Sequence, residues 1–199
     1  MFISFEGIDK SGKTTQISLL ANYLEKKGYK VIKTCEPGGT RLGEKIKEML
    51  LSPHYKINKI TELFLYLADR AEHVEKVIKP ALHEGKIVIS DRFADATTAY
   101  QGYGRGIDID WIKKLNRIVT QDISPVITFL LDINPYLARQ RSKKRDRVEK
   151  EKIEFHQRVR QGYLRIAKSF PERIHVIEGD KDIEEIFSII KKELSKYLK

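Results

Sequence analysis

The chain has 199 residues, 41% of them hydrophobic, and carries a net charge of +10 from 38 basic and 28 acidic side chains. That length and composition suit a single domain, residues 1–199, with one core. No apolar run nears the roughly 20 residues that cross a bilayer, and the start lacks the basic n-region and long apolar core of a secretory signal. A lone cysteine, Cys35, excludes an internal disulfide and fits a reducing cytoplasm. The basic residues are interleaved with Glu, as in Leu24-Glu25-Lys26-Lys27. The surplus therefore reads as a mixed charged surface suited to small polyphosphates, not as a nucleic-acid face.

In chain order, Met1–Phe5 is a short apolar run, the pattern of a strand buried on both faces. Gln16–Lys27 is predicted as a helix with Ile17, Leu20 and Leu24 on one side, ended by Gly28. Val31–Thr34 is a second strand, and Glu36-Pro37-Gly38-Gly39-Thr40 a turn too polar for the core. A short helix over Gly43–Leu51 and a loop over Pro53–Lys59 precede one long helix, Thr61–Leu82, expected to break near Pro80. Ile87–Ser90 is a third strand leading into Asp91-Arg92-Phe93. Asp110–Val119 is helical, and Val126–Ile133 is a strand closed by Asn134-Pro135. Arg139–Lys150 is densely basic and lacks apolar periodicity. A helix over Glu151–Lys168, a strand over Ile174–Ile177 and an amphipathic helix over Ile183–Leu198 complete the chain. Strands alternating with helices predict an α/β fold of three layers, a five-stranded parallel sheet with helices on both faces. Ligands of such sheets bind at the carboxyl ends of the strands. The Gly7 loop, the Glu36 turn and the Asp91-Arg92 pair should therefore share one cleft.

Gly7 to Thr14 reads G-x-x-x-x-G-K-[ST], the phosphate-binding loop, with a strand before it and a helix after it. Gly7 and Gly12 let successive backbone N–H groups of Ile8, Asp9, Lys10, Ser11 and their neighbours turn toward one anion. The helix behind adds its dipole. Lys13 is placed to reach the β- and γ-phosphates, and the Thr14 hydroxyl to ligate Mg²⁺. Asp91, at the end of an apolar strand, stands where such enzymes hold Mg²⁺ through water, and Arg92 offers a fork to a second phosphate group. Tyr66 and Arg70, four apart, share a helix face. They either meet a base, or Tyr66 packs in the core with Arg70 in solvent. The 139–150 segment is either a solvated face or a mobile basic lid.

Phe5-Glu6-Gly7-Ile8-Asp9, Glu36-Pro37-Gly38-Gly39-Thr40, Asp91-Arg92-Phe93 and Ala99-Tyr100-Gln101-Gly102 together resemble the thymidylate kinase family, from residue 2 to about residue 178. The resemblance implies a nucleoside monophosphate kinase fold of the phosphate-loop type and transfer of the γ-phosphoryl of ATP to dTMP, with Mg²⁺. It also implies a cytoplasmic homodimer with neither nucleic acid nor membrane as partner. Gly7, Ile8, Asp9, Lys10, Ser11, Gly12, Lys13 and Thr14 would hold ATP. Glu36, Tyr66, Arg70, Arg92, Thr97, Tyr100 and Gln101 would form the acceptor site. Within it, Tyr66 stacks on thymine, Arg70 bonds its O4, Thr97 and Gln101 follow the base edge, Tyr100 lies under the deoxyribose, and Arg92 grips the 5′-phosphate. Thr14 and Asp91 would serve Mg²⁺ through water, and Glu36 would lie near both metal and acceptor phosphate. Asp9, near the sugar 3′-hydroxyl, joins Lys13, Arg92 and Arg141 as the expected catalytic group. Tyr66 stands where the family more often has Phe, Ala96 replaces a frequent Ser, and Lys10 occupies a loop position that carries a catalytic Arg in one subgroup. Lys10 and Arg141 are thus the two candidate cations for the transferring phosphoryl, and the rigid fork of Arg141 is favoured. Another nucleoside monophosphate kinase, or a nucleic-acid-binding ATPase, are the competing functions.

Overall fold

The computed structural model describes residues 1–141 and 146–198. Of the basic segment, Lys143, Lys144 and Arg145 lie outside the described residues. Five strands, β1 (Phe2–Glu6), β2 (Val31–Cys35), β3 (Ile87–Asp91), β4 (Ile127–Asp132) and β5 (Ile174–Glu178), form one parallel sheet in the order β2-β3-β1-β4-β5. β1 lies at the centre, pairing Ile3 with both Ile89 and Ile127. Its side chains alternate between two buried faces. Ile3 and Phe5 pack with Ile17, Leu20 and Leu24 of α1 (Lys13–Lys26) and with Phe187 and Ile190 of α9 (Ile183–Leu194). On the opposite face Phe2 and Val88 pack with Val74, Ile78 and Ala81. Leu130 packs there with Phe155, Val159 and Tyr163 of α8 (Ile153–Ser169). Each large apolar side chain so buried is worth about 1.5–3 kcal/mol.

Several elements depart from the expectations above. α1 begins at Lys13, three residues early, because Gly12 in the left-handed region (φ 97°) turns the loop directly into helical geometry. α2 runs over Arg41–Leu51, with Thr40 Oγ1 accepting from Gly43 N at 2.8 Å as its N-cap. The long helix does not break at Pro80. α3 (Lys59–His73) widens into a π-helical stretch, Val74–Ile78, and continues as α4 (Lys79–His83), with Pro80 in the first turn of the new register. The widened ladder leaves the missing proline N–H without consequence.

An unpredicted helix, α5 (Ala94–Thr97), also widens into a π stretch over Thr98–Gly104. Tertiary packing stabilises it. A Cβ on Gly104 would come 2.7 Å from Phe155 and 2.8 Å from Val159, so glycine there admits the close approach of α8. α6 spans Ile109–Thr120, capped by Asp108. The start of the basic segment is helical too, since α7 runs from Pro135 to Arg141. Residues 146–150 are turns pinned by Asp146 Oδ1, which accepts from the N–H groups of Val148 and Glu149 at 2.8 Å each. No helix among the described residues is long and apolar enough to cross a membrane.

Candidate active site

The carboxyl ends of β1, β2 and β3 open into a cavity of about 990 Å³, lined by the phosphate loop on one side and by Glu36, Tyr66, Arg70, Thr97 and Tyr100 on the other. Gly7 closes β1 at φ 133°, where a Cβ would sit 2.4 Å from the carbonyl oxygen of Leu131, so only glycine lets the loop turn here. Lys13 is only 6% exposed, whereas a loop lysine would be expected to reach solvent. Opening α1 against the sheet buries its stem, and Nζ donates to the carbonyls of Gly7 (3.3 Å) and Ile8 (3.1 Å). Burial and the nearby Arg92 charge pull its pKa down, while Asp91, Asp9 and Glu6 oppose the shift. Thr14 Oγ1 donates to Asp91 Oδ2 at 3.3 Å, and Lys13 Nζ stands 3.9 Å from Asp91 Oδ1. A hydroxyl and a carboxylate side by side at the loop are a fitting partial shell for Mg²⁺, which keeps waters and shares itself with substrate phosphates.

Arg92 has a strained backbone, φ 74° in a residue with a side chain. Three hydrogen bonds hold it there. Its N–H donates to Phe5 O at 2.9 Å, its carbonyl accepts from Ser90 Oγ at 2.7 Å, and the next N–H, of Phe93, donates to Glu6 Oε1 at 2.7 Å. The conformation turns the guanidinium back over the phosphate loop. Nη1 donates to Gly7 O (2.8 Å) and Tyr163 Oη (3.1 Å), while Nη2 donates to Asp9 Oδ1 (2.7 Å) and Tyr100 Oη (3.2 Å). Tyr100 in turn donates to Asp9 Oδ2 at 3.1 Å, and Arg92 lies 5.0 Å from its ring centre. Burial alone would raise the Asp9 carboxyl, but the Arg92 and Lys13 charges bring it down to about 2. Asp9, Arg92 and Tyr100, expected separately, thus form one unit.

Arg70 is 1% exposed, so the solvent alternative does not hold. Nε donates to Glu36 Oε2 (2.8 Å), Nη1 to Thr97 Oγ1 (2.8 Å) and Asn116 Oδ1 (2.7 Å), and Nη2 to Phe93 O (3.0 Å). Glu36 is buried although its turn looked too polar for the core, because Arg70 and His73 Nδ1 (2.9 Å to Oε1) take both its oxygens. Tyr66, half-buried, lines the cavity one turn before Arg70. Gln101 is buried and gives its Nε2–H to Glu62 Oε1 at 2.9 Å. Arg141 reaches the loop from α7, Nη1 donating to Lys10 O at 3.3 Å and Gly179 O at 3.5 Å. The Lys10 ammonium points elsewhere, 3.5 Å from Glu149 Oε1.

Glu6, Glu62, His73, Asn116 and Tyr163 were not singled out in the sequence, yet each orients a site residue. Two had a signal: Glu6 is the charge that ends an otherwise apolar strand, and Glu62 lies four residues before Tyr66 and eight before Arg70, on one helix face. Burial keeps the Glu6 carboxyl protonated up to about pH 8, with Asp95 adding to the shift and Arg92 opposing it.

A phosphate loop joined through Asp9 and Arg92 to a second, side-chain-built anion site defines a phosphotransferase of the nucleoside monophosphate kinase type. The family model described as thymidylate kinase matches residues 5–190. A thymidylate kinase from Caldanaerobacter subterraneus is 48% identical, covering 100% of this chain and 96% of that protein. One from Sulfurihydrogenibium is 51% identical over 95% and 94% of the two chains. The crystal structure of thymidylate kinase from Ehrlichia chaffeensis superposes with a TM-score of 0.83 at 44% identity, covering 98% of each chain. The chain belongs to the thymidylate kinase family, ATP-using kinases of nucleotide biosynthesis.

Proposed function

We propose that the chain transfers the γ-phosphoryl of ATP to the 5′-phosphate of dTMP, giving dTDP and ADP, in the cytoplasm. An oxygen of the acceptor phosphate bonds to the γ-phosphorus while the bond from that phosphorus to the β-bridging oxygen breaks. The attacking oxygen is already anionic, so no base has to remove a proton. The reaction needs alignment and charge neutralisation. The observation that carries this reading is the Asp9–Arg92–Tyr100 unit, which fixes a half-buried guanidinium beside the phosphate loop, between donor and acceptor sites.

Arg92 holds the acceptor phosphate and Lys13 the β- and γ-phosphates. Arg141 stabilises the charge on the transferring group, since it alone of the two candidate cations is turned over the loop. Mg²⁺ would be held by Thr14 and, through water, by Asp91, and would supply neutralisation of the β- and γ-oxygens. Tyr66 stacks on the base, Arg70, Thr97 and Gln101 read its edge, and Tyr100 fills the space of a 2′-hydroxyl. Glu36 acts through Arg70, whose guanidinium it orients. An ADP-release assay over dTMP, dUMP, UMP, dCMP and AMP tests the assignment. dTMP should be used best, and turnover of UMP or AMP equal to that of dTMP would overturn it.

The protein works as a homodimer in this reading. α3 packs against both α2 and α6, and these helices leave Leu42, Met49, Ile60, Phe64, Trp111 and Ile118 exposed, with Phe64 and Trp111 in edge contact. Apolar surface of that extent marks an interface, and one shared face suits a two-fold pair. Phe64→Asp should yield a monomer in sedimentation. A wild-type protein that sediments as a monomer at micromolar concentration would remove the proposal.

A further inference from the structure

Glu62 is a fully enclosed carboxylate on the helix that carries the base-side residues, 1% exposed, one helical turn before Tyr66 and two before Arg70. Three hydrogen-bond donors and a further arginine charge surround it. Oε1 accepts from Gln101 Nε2 (2.9 Å) and Arg105 Nε (3.0 Å). Oε2 accepts from Arg105 Nη2 (3.1 Å) and is paired with Arg147 Nη2 at 2.7 Å. Burial would raise its pKa, but the hydrogen bonds from Arg105 and Gln101 and the arginine charges outweigh that and lower it, so the group is ionised.

An ionised carboxylate has only acceptors. The Gln101 amide can therefore meet it only through its NH₂, which leaves the carbonyl Oε1 on the cavity side. No described residue donates to that oxygen. Across the same cavity Arg70 has five N–H donors, of which four are committed to Glu36, Thr97, Asn116 and Phe93. One remains. Arg70 and Gln101 both line the cavity, which thus has one uncommitted donor and one uncommitted acceptor among its lining groups. The edge of thymine or uracil carries the complementary pair, an O4 acceptor beside an N3–H donor. Cytosine carries the reverse, an amino donor beside an unprotonated N3, so that like would face like at both positions.

We propose that Glu62 is the positioning residue that sets base selectivity. By fixing the Gln101 amide with its carbonyl toward the cavity, it lets the pocket accept an imide edge and reject an aminopyrimidine edge. This rests on the dTMP reading above, and it adds a residue that touches no substrate. It differs from simple charge balance, because a carboxylate needed only to neutralise Arg105 and Arg147 would serve whichever way the amide pointed.

The decisive variant is Glu62→Gln. Two arginine nitrogens converge where Oε2 stands and one, Arg105 Nε, where Oε1 stands, so the new amide keeps its oxygen at the doubly charged side and turns its NH₂ toward Gln101. Gln101 must then accept, and its own NH₂ rotates into the cavity. The ratio of kcat/KM for dTMP to that for dCMP should fall by about tenfold or more, while KM for ATP stays unchanged. The exchange Glu62→Gln with Gln101→Glu restores an acceptor facing the cavity and should bring the ratio back to the wild-type value. An unchanged ratio in Glu62→Gln overturns the proposal, and so does a ratio that falls in both variants. If Glu62→Gln does not fold, the exchanged pair decides by the same ratio. Wild-type turnover of dTMP, measured alongside, distinguishes failure of this proposal from failure of the substrate assignment on which it rests.

Discussion

The two halves of the cavity are built in opposite ways. The donor half is one continuous segment, Gly7–Thr14, built from backbone N–H groups, two positive-φ glycines and the start of α1. The acceptor half is assembled from side chains on β1, the Glu36 turn, α3, the Arg92 turn, the α5 region and α6, its arginines paired with carboxylates. A backbone-built site tolerates side-chain change except at the groups that touch phosphate. A site built on paired buried charges fails when either partner is removed, because the survivor is left desolvated and alone.

The contrast predicts where single substitutions act on chemistry alone and where they also damage the fold. The largest effect on turnover is expected at Arg141, which approaches the loop from outside and carries little of the structure. Arg141→Ala should lower kcat by about 10³-fold or more with an unchanged melting temperature, and Lys10→Ala by far less. A worse defect in Lys10→Ala would move the catalytic cation into the loop. Next comes Lys13. Because its stem is buried, Lys13→Met, which keeps the volume, is the cleaner variant than Ala. Turnover should drop about 10²–10³-fold, the usual loss for one preorganised charge donor, with the fold retained by circular dichroism.

Arg70 should behave differently. Losing its bond to the base raises KM for dTMP by an amount worth about 1.5–3 kcal/mol, more than kcat falls. Arg70→Ala also takes from buried Glu36 its arginine charge, leaving only His73, at a cost approaching about 3–5 kcal/mol of stability. Adding Glu36→Gln should recover most of the melting temperature and none of the KM. If stability and KM recover together, the two roles of Arg70 are not separable and the contrast between halves collapses. Under the acceptor half lies an effect expected on stability alone and not on turnover, at Glu6. Its carboxyl has a pKa of about 8 in the folded protein against an ordinary 4.5. A raised carboxylate binds its proton more tightly when folded, so its stabilising contribution is complete below about pH 4.5 and is lost as pH rises through 8. Urea denaturation of Glu6→Gln should therefore show a flatter decline than wild type across that window, and parallel curves would refute the assignment.

Local signals carried the donor half. The glycine spacing, the strand before the loop and the helix after it are properties of adjacent residues, and each survives folding because backbone geometry alone enforces it. Of the acceptor residues, Arg92, Tyr66 and Arg70 carried a local signal, while Glu36, Thr97, Tyr100 and Gln101 were legible only through resemblance, since nothing near Asp9 in the chain says that Arg92 and Tyr100 lie within hydrogen-bond reach of it. The missed helix over residues 94–104 shows the same limit. Its many small residues have no apolar period, and what makes it a helix is the packing of α8 against Gly104 and of Ile109 against Gly102.

The sequence by itself determined the parallel sheet, the phosphate loop at its centre and the place of the cleft at the strand ends. Apolar runs, turn residues and glycines act over a few positions, and those features need no more. Tertiary structure decided which charges are buried and how each is oriented. It enclosed Lys13, turned Arg92 through a strained backbone onto Asp9, and paired Arg70 with Glu36. It also set Glu62 against Gln101. Those outcomes depend on desolvation and on partners 30 to 160 residues away in the chain. Both come into being only when the sheet has brought the segments together.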